Sequence, residues 1–340
     1  MSKVITFGEI MLRLAPEGYY RFLQATSFGA TYGGGEANVA ISLASFGVDT
    51  VFVTKLPKHE LGQAAVNTLR QFGIDTSKIA RGGERLGIYF LEKGASQRAS
   101  KVIYDRAASA IAKASAADFD WNAIFDDACW FHFTGITPAL GDNVAEITLE
   151  ALKAAKARGL TVSCDLNYRK NLWSKEKANE VMSRLVPNVD LCIANEEDAA
   201  DVFGISAKNT DITSASINHE GYKEVAKTLA DRFGFRKVAI TLRESISASD
   251  NNWAAMIYDG KEYLFSKKYP VHIVDRVGGG DSFGAGLIYG ELQAWALQET
   301  LEFAVAASCL KHSVEGDYNL VSVDEVKKLA KGDASGRVQR

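Results

Sequence analysis

Short β-branched runs alternate with stretches of helical period along most of this chain, and that alternation leaves few architectures open. Val51-Phe52-Val53, Trp130-Phe131-His132-Phe133, Leu160-Thr161-Val162-Ser163-Cys164, Leu191-Cys192-Ile193-Ala194 and Val238-Ala239-Ile240-Thr241-Leu242 read as strands. Residues 36–46, 61–72, 144–158, 175–186 and 222–233 read as helices. Four of those helices run into a glycine before the next strand, at Gly47, Gly73, Gly159 and Gly234. Glycine just past a helix takes the left-handed conformation, which closes the helix and redirects the chain. Strands separated by helices of this length need crossover connections, so the expected fold is α/β, with a mainly parallel sheet covered on both faces.

Two regions depart from that rhythm. Residues 11–32 and 86–106 carry alternating segments, such as Ile88-Tyr89-Phe90-Leu91 and Lys101-Val102-Ile103-Tyr104, with no helix between them. They read as hairpin-like strands outside the main sheet, forming a small lid. Near the C-terminus Ser322-Val323-Asp324-Glu325 is a capping-box pattern that opens a helix, and Gly332 stops it. No Pro- or Ser-rich linker divides the chain, so one α/β domain over residues 1–332 with a frayed tail at 333–340 is expected.

Composition narrows the function classes. The 340 residues hold 39 Lys+Arg and 42 Asp+Glu, a formal charge of −3, with neither a nucleic-acid footprint nor a polybasic membrane arm. With 47% hydrophobic and 24% charged residues the chain is an ordinary globular one, and wholesale disorder is excluded. No segment approaches the roughly 18 apolar residues of a membrane span. Glu9 and Arg13 interrupt the apolar start, so no secretory leader is expected. Cys129, Cys164, Cys192 and Cys309 are far apart and no HExxH occurs, so free thiols in a reducing cytoplasm are expected rather than zinc or disulfides.

Two glycine clusters carry the chemistry. The second, Asp275-Arg276-Val277-Gly278-Gly279-Gly280-Asp281-Ser282-Phe283-Gly284-Ala285-Gly286, leads into an apolar helix. Bare amides at a helix N-terminus suit an anion such as phosphate. Asp281 inside that turn would repel the anion, unless its carboxylate accepts the proton of a hydroxyl attacking phosphorus. Asp is also a good N-cap, and on this segment alone cap and base stand level. The first cluster, Tyr32-Gly33-Gly34-Gly35-Glu36-Ala37-Asn38, places an acid and an amide after the glycines, which favours hydroxyl ligands over phosphate. Alone it ranks as a tight strand-to-helix turn ahead of a sugar site. Neither cluster fits GxGxxG and no Walker A motif is present, which removes the main support for a nicotinamide oxidoreductase.

Together the two clusters resemble the ribokinase-like (PfkB) family of sugar kinases. Gly33-Gly34-Gly35-Glu36-Ala37-Asn38 is similar to its N-terminal signature, and Asp275, Gly278, Gly280 and Asp281 match its Asp-x-x-Gly-x-Gly-Asp signature. The likeness runs from Val4 to about Lys331. It implies a ribokinase-like three-layer α/β/α fold with a β-sheet lid that often mediates self-association, so a homo-oligomer is expected. It also implies Asp281 as general base and Gly278, Gly279 and Gly280 as the anion hole. Gly279 stands where the family usually has Ala, which should only loosen the turn slightly.

Asp165-Leu166-Asn167-Tyr168-Arg169, Gly135-Ile136-Thr137-Pro138, Val102-Ile103-Tyr104-Asp105-Arg106, Thr241-Leu242-Arg243-Glu244-Ser245 and Glu315-Gly316-Asp317 resemble 2-keto-3-deoxygluconate kinases within that family. A sugar acid carries a carboxylate, and arginine presents a planar fork of donors matched to it. The resemblance therefore implies Arg106 and Arg169 at the carboxylate, with Tyr89, Tyr104, Gly34, Asn38, Asn167 and Asp317 also on the sugar. It implies Asn195, Thr241, Arg243 and Ser245, besides Gly278 and Gly280, on ATP. The family's Asn-x-x-Glu motif appears as Asn195-Glu196-Glu197-Asp198, so Asp198 or Glu197 would order magnesium through water. A monovalent cation is a further implication, with no ligand set identifiable. The expected reaction is ATP-dependent phosphorylation of the 6-hydroxyl of 2-keto-3-deoxygluconate. A fructokinase- or ribokinase-type activity on a neutral sugar, or a non-catalytic sensor on the same fold, is the alternative.

Overall fold

The computed structural model describes residues 2–195, 197–206 and 219–333. Its strands are β1 (Lys3–Phe7), β2 (Met11–Ala15), β3 (Gly29–Gly33), β4 (Asp49–Val53), β5 (Lys55–Leu56), β6 (Ala80–Arg81), β7 (Ile88–Glu92), β8 (Lys101–Asp105), β9 (Ala128–Thr134), β10 (Thr161–Asp165), β11 (Leu191–Ala194), β12 (Lys237–Ser245), β13 (Asp250–Tyr258), β14 (Tyr263–Phe265) and β15 (Tyr269–His272). Among the described residues ten α-helices connect them. They are α1 (Gly35–Ser45), α2 (Glu60–Gln71), α3 (Trp121–Ile124), α4 (Asp142–Ala157), α5 (Lys175–Leu185), α6 (Asp198–Phe203), α7 (His219–Phe233), α8 (Gly279–Leu292), α9 (Leu297–Lys311) and α10 (Val323–Ala330).

The main sheet has the order β14-β13-β12-β11-β10-β9-β1-β4, with β15 also paired to β13. From β4 through β12 every neighbouring pair is parallel, and β13, β14 and β15 add an antiparallel edge. The period-2 alternation of the strands sorts their side chains into two layers. Ile5, Phe7, Phe131, Phe133, Cys192 and Ala194 pack towards α4, α5 and α7, whereas Val4, Trp130, Leu191 and Ile193 pack towards α1, α8 and α9. That is a three-layer α/β/α sandwich. The four helix-ending glycines have φ between 74° and 83°, as their positions require. The Ser322–Glu325 capping box forms, and Gly332 follows α10 with φ 104°.

β2, β3, β7 and β8 form a separate sheet in the order β3-β2-β7-β8, with β2–β3 and β7–β8 antiparallel and β2–β7 parallel. β8 is exposed at every position. Met11, Tyr89 and Leu91 make the buried inner face of this lid. Apart from Asp333, the C-terminal tail lies outside the described residues.

The chain leaves β1 for β4 in one direction and continues from β9 to β12 in the other. Parallel sheets open a crevice at the carboxyl ends of their strands where such a reversal occurs. The lid stands over that end.

Candidate active site

A cavity of about 350 Å³ lies there, bordered by both glycine clusters, the lid and the ends of β10, β11 and β12. Strand ends and one helix start deliver acids to it: Glu9 just past β1, Asp165 ending β10, and Asp198 beginning α6.

Asp281 sits in the first turn of α8, yet the N-cap of that helix is Gly278 and no side chain caps it. The carboxylate faces the cavity and accepts a hydrogen bond from Asn38 Nδ2 at Oδ2, 2.7 Å. Asn38 in turn accepts from the Gly34 amide at 3.3 Å, so its orientation is set from both ends. This joins the two glycine clusters through one carboxylate and excludes the capping role. Burial raises the Asp281 carboxyl to about 6, with the Asn38 bond, Arg169 and Lys311 pulling it down and Asp317 pushing it up.

The three glycines before Asp281 are not equivalent. Gly278 is left-handed, φ 83°, and a Cβ there would overlap the Asp317 carbonyl oxygen. Gly280 lines the cavity, and a Cβ on it would meet nothing within 4 Å. Gly279 is not among the residues that border the cavity. Its amide is directed at the Arg276 carbonyl, 3.4 Å, and its own carbonyl accepts from Ser308 Oγ at 2.7 Å. A Cβ on Gly279 would stand 2.6 Å from His312 Cε1, so any larger residue must displace that buried ring. His312 is buried and neutral, its pKa lowered to about 4 by burial. Its Nδ1 is 2.7 Å from the Ser308 carbonyl, which can only accept, so that nitrogen carries the proton.

A buried ionic network ties the lid to this turn. Arg13 on β2 donates to Asp275 Oδ2 at 2.5 Å and Asp317 Oδ1 at 2.6 Å, all three nearly inaccessible. Tyr89 on β7 donates to Asp317 Oδ2 at 2.5 Å. Burial works against the Arg13 charge, but Asp317 and Asp275 outweigh it and hold its pKa up. Tyr89 and Asp317 thus both border the cavity with their polar ends committed to each other.

The remaining residues expected on the sugar share this cavity. Gly34, Tyr104, Asn167, Arg106 and Arg169 all line the cavity. Arg106 already donates through Nε (2.8 Å) and Nη2 to Glu9 Oε2, and its guanidinium lies 5.4 Å from the Tyr104 ring centre. One edge of its fork is therefore spent on the protein, whereas among the described residues Arg169 donates only to the Tyr168 carbonyl, at 3.1 Å. Asn167 holds a left-handed backbone, φ 39°. Asp165 is pushed well up by burial, with Asp198 and Asp281 adding to the rise.

On the other side of the cavity stand Asn195, Thr241 and Arg243. Ser245 is exposed at the end of β12 and does not reach it. Asn195 Oδ1 accepts the amides of Glu197 (2.8 Å) and Asp198 (2.9 Å), closing the turn into α6. Asp198 borders the cavity, and its oxygens accept the amides of Tyr168 (3.0 Å) and Asn195 (3.2 Å). Glu197 is exposed and faces a neighbouring groove instead. Among the described residues no three His, Cys, Asp or Glu side chains gather around a metal-sized space. Carboxylates spaced too widely to cage an ion suit magnesium carried in on phosphates and water.

Sequence reasoning missed Glu9, Arg13, Asn251, Trp253, Arg276, Lys311 and His312 as part of this region, and placed Glu36 on hydroxyl ligands where the structure turns it to the protein. Glu36 Oε1 accepts from the Thr134 amide (2.9 Å) and the Thr134 (2.8 Å) and Thr137 (2.6 Å) hydroxyls, and burial raises its carboxyl to about 7. Charges beside or inside apolar runs were the available signal: Glu9 and Arg13 near the N-terminus, and Lys311 closing the mostly apolar run 303–310.

Comparison with known proteins agrees with this geometry. The family model described as pfkB family carbohydrate kinase matches residues 1–323. A solved 2-dehydro-3-deoxygluconokinase from Thermotoga maritima is 54% identical, with TM-score 0.93, covering 97% of this chain and 98% of that one. A 2-dehydro-3-deoxygalactonokinase from Haloferax volcanii is 30% identical over 98% of both chains. A 5-dehydro-2-deoxygluconokinase from Clostridium perfringens is 28% identical over 96% of this chain and 92% of its own. With Asp281 facing the crevice beside unshielded glycine backbone, and with that match over nearly its whole length, the chain belongs to the pfkB family of carbohydrate kinases.

Proposed function

We propose that this kinase transfers the γ-phosphoryl group of ATP to the 6-hydroxyl of 2-keto-3-deoxy-D-gluconate, giving the 6-phosphate and ADP. The observation that carries the reading is the shared cavity of Asp281 and Arg169: a base for the hydroxyl and a cation for a carboxylate, lying close enough for each to feel the other's charge. The three relatives named above all act, by their names, on keto-deoxy sugar acids, which supports a carboxylate-bearing substrate.

In this reading Asn38 aims the Asp281 carboxylate, which accepts the 6-hydroxyl proton as the oxygen attacks phosphorus and ADP departs. A loose transition state gains more from placement and charge stabilisation than from base strength. Gly278 and Gly280 leave backbone open to the phosphoryl group, and Thr241, Arg243 and Asn195 border the nucleotide side. Asp198 rather than Glu197 would meet magnesium through water, since only Asp198 borders the cavity. Magnesium when bound supplies charge neutralisation on the phosphates. Lid closure would exclude water, which would otherwise hydrolyse ATP.

Free cysteines support a reducing, cytoplasmic setting, and no described helix is long and apolar enough to cross a membrane. The exposed edge strand β8, with Val102, Ile103 and Tyr104 uncovered, supports self-association through the lid. ADP release across a panel of sugar acids and neutral hexoses tests the substrate. The acid should be turned over far better than fructose or ribose, and the reverse order would refute the assignment. The relative named for the galactonate makes the C4 epimer a second acceptor to include in that panel.

A further inference from the structure

Lys311, the last residue of α9, is fully buried in a place where lysines are rarely left. Among the described residues no carboxylate oxygen lies within ion-pair distance of its Nζ. Its Nζ donates instead to backbone carbonyls, that of Val314 at 3.0 Å and that of Asp275 at 3.4 Å. Its Cε lies 3.3 Å from where a Cβ on Gly278 would stand, so the stem runs directly beneath the turn that borders the phosphoryl site. Asp275 knots the same region from the other side: its carboxylate accepts the Val277 amide at 3.1 Å and the Gly316 amide at 3.2 Å, besides Arg13.

A compact cation cradled by backbone carbonyl oxygens is the arrangement by which proteins hold a dehydrated monovalent ion. Here a covalently attached ammonium occupies it. We propose that Lys311 serves as a built-in monovalent cation, positioning the 275–278 turn against the 314–317 loop so that no free potassium or sodium ion is needed there. The residues present thus do not fit a separate monovalent cation beside this turn, against the expectation carried by the family resemblance. Burial lowers the Lys311 pKa, but Asp275, Asp317 and Asp281 surround it with negative charge that supports the ammonium, with Arg13 opposing. Lys311 is a positioning residue, acting on the reaction through Gly278.

The inference rests on the phosphoryl-transfer reading above, and wild-type turnover is the baseline that separates the two. A wild-type protein inactive on every sugar would defeat that reading; the present one is tested on the active enzyme. Turnover of the wild type should be equal in potassium, sodium and tetramethylammonium chloride at matched ionic strength. Lys311→Met, of similar length but uncharged, should lower kcat by about 10²-fold with little change in the sugar KM, because the displaced turn misplaces the phosphoryl group. Lys311→Ala should regain turnover on adding potassium or ethylammonium but not tetramethylammonium. Activation of the wild type by potassium, a Lys311→Met variant with normal kcat, or a Lys311→Ala variant that no cation restores would each overturn the proposal.

Discussion

Adding one methyl group at Gly280 should move stability and activity in opposite directions. Its φ is not in the positive range, it lies in the first turn of α8, and a Cβ there meets nothing within 4 Å. Gly280→Ala therefore removes backbone entropy from the unfolded chain without a clash, a stabilisation of about 0.5–1 kcal/mol. At roughly 2 cal/mol/K of unfolding entropy per residue, a chain of this size gains only about 1 °C in Tm. The same methyl projects into the cavity one residue before Asp281. Displacing a transferring group by about 1 Å, or covering a backbone donor aimed at it, costs about 10²-fold or more in kcat. Thermal unfolding by calorimetry and steady-state ADP release on the same preparation measure both effects. Normal kcat alongside an unchanged or raised Tm would show that the phosphoryl group does not approach this turn, and the assignment of the glycines would fail.

Gly279→Ala should behave differently, losing about 1–3 kcal/mol of stability because its Cβ presses on the His312 ring, and a second change of His312 to Ser should recover part of it in a double-mutant cycle. Additive losses in that cycle would refute the contact. Asp281→Asn should lower kcat by roughly 10²–10⁴ while sugar binding by calorimetry is retained. The wild-type kcat/KM should fall as pH drops through about 6, since the base must be ionised and burial has raised its pKa to that value. A flat profile down to pH 5 would contradict it. Folding shifts that carboxyl upward, so its ionisation opposes stability as pH rises towards 6, and Asp281→Asn should melt higher than wild type at pH 8. Arg169→Ala should raise KM for the sugar acid far more than for a neutral hexose, and equal losses on both would indicate a structural role.

Much of the fold was legible because the periodicities are local. Helix ends marked by Gly47, Gly73, Gly159 and Gly234 need only the neighbouring turn to be read, and all four take left-handed backbone. The lid strands announced themselves by alternation without a helix. The site was half legible for the same reason: Gly280 and Asp281 sit in one short motif. What closes it comes from far apart. Arg13 meets partners 262 and 304 residues away, Asn38 meets Asp281 across 243, and no pattern within either segment encodes the pairing. The constraint on Gly279 was invisible because it is a histidine ring brought in by the far end of α9, and the position of Ser245 because strand β12 carries it out of the crevice.

The two inner strands of the lid are fastened at their roots, β2 by Arg13 and β7 by Tyr89, to the very carboxylates that brace the glycine turn. The lid cannot swing from the body as a rigid door without tearing that knot. Closure over the sugar then falls to the outer strand β8 and the segment before β3, which carry none of those bonds. Grip on the sugar and alignment of the phosphoryl site are consequently a single mechanical element: a defect introduced at Arg13 would surface as sluggish chemistry and loosened sugar affinity together.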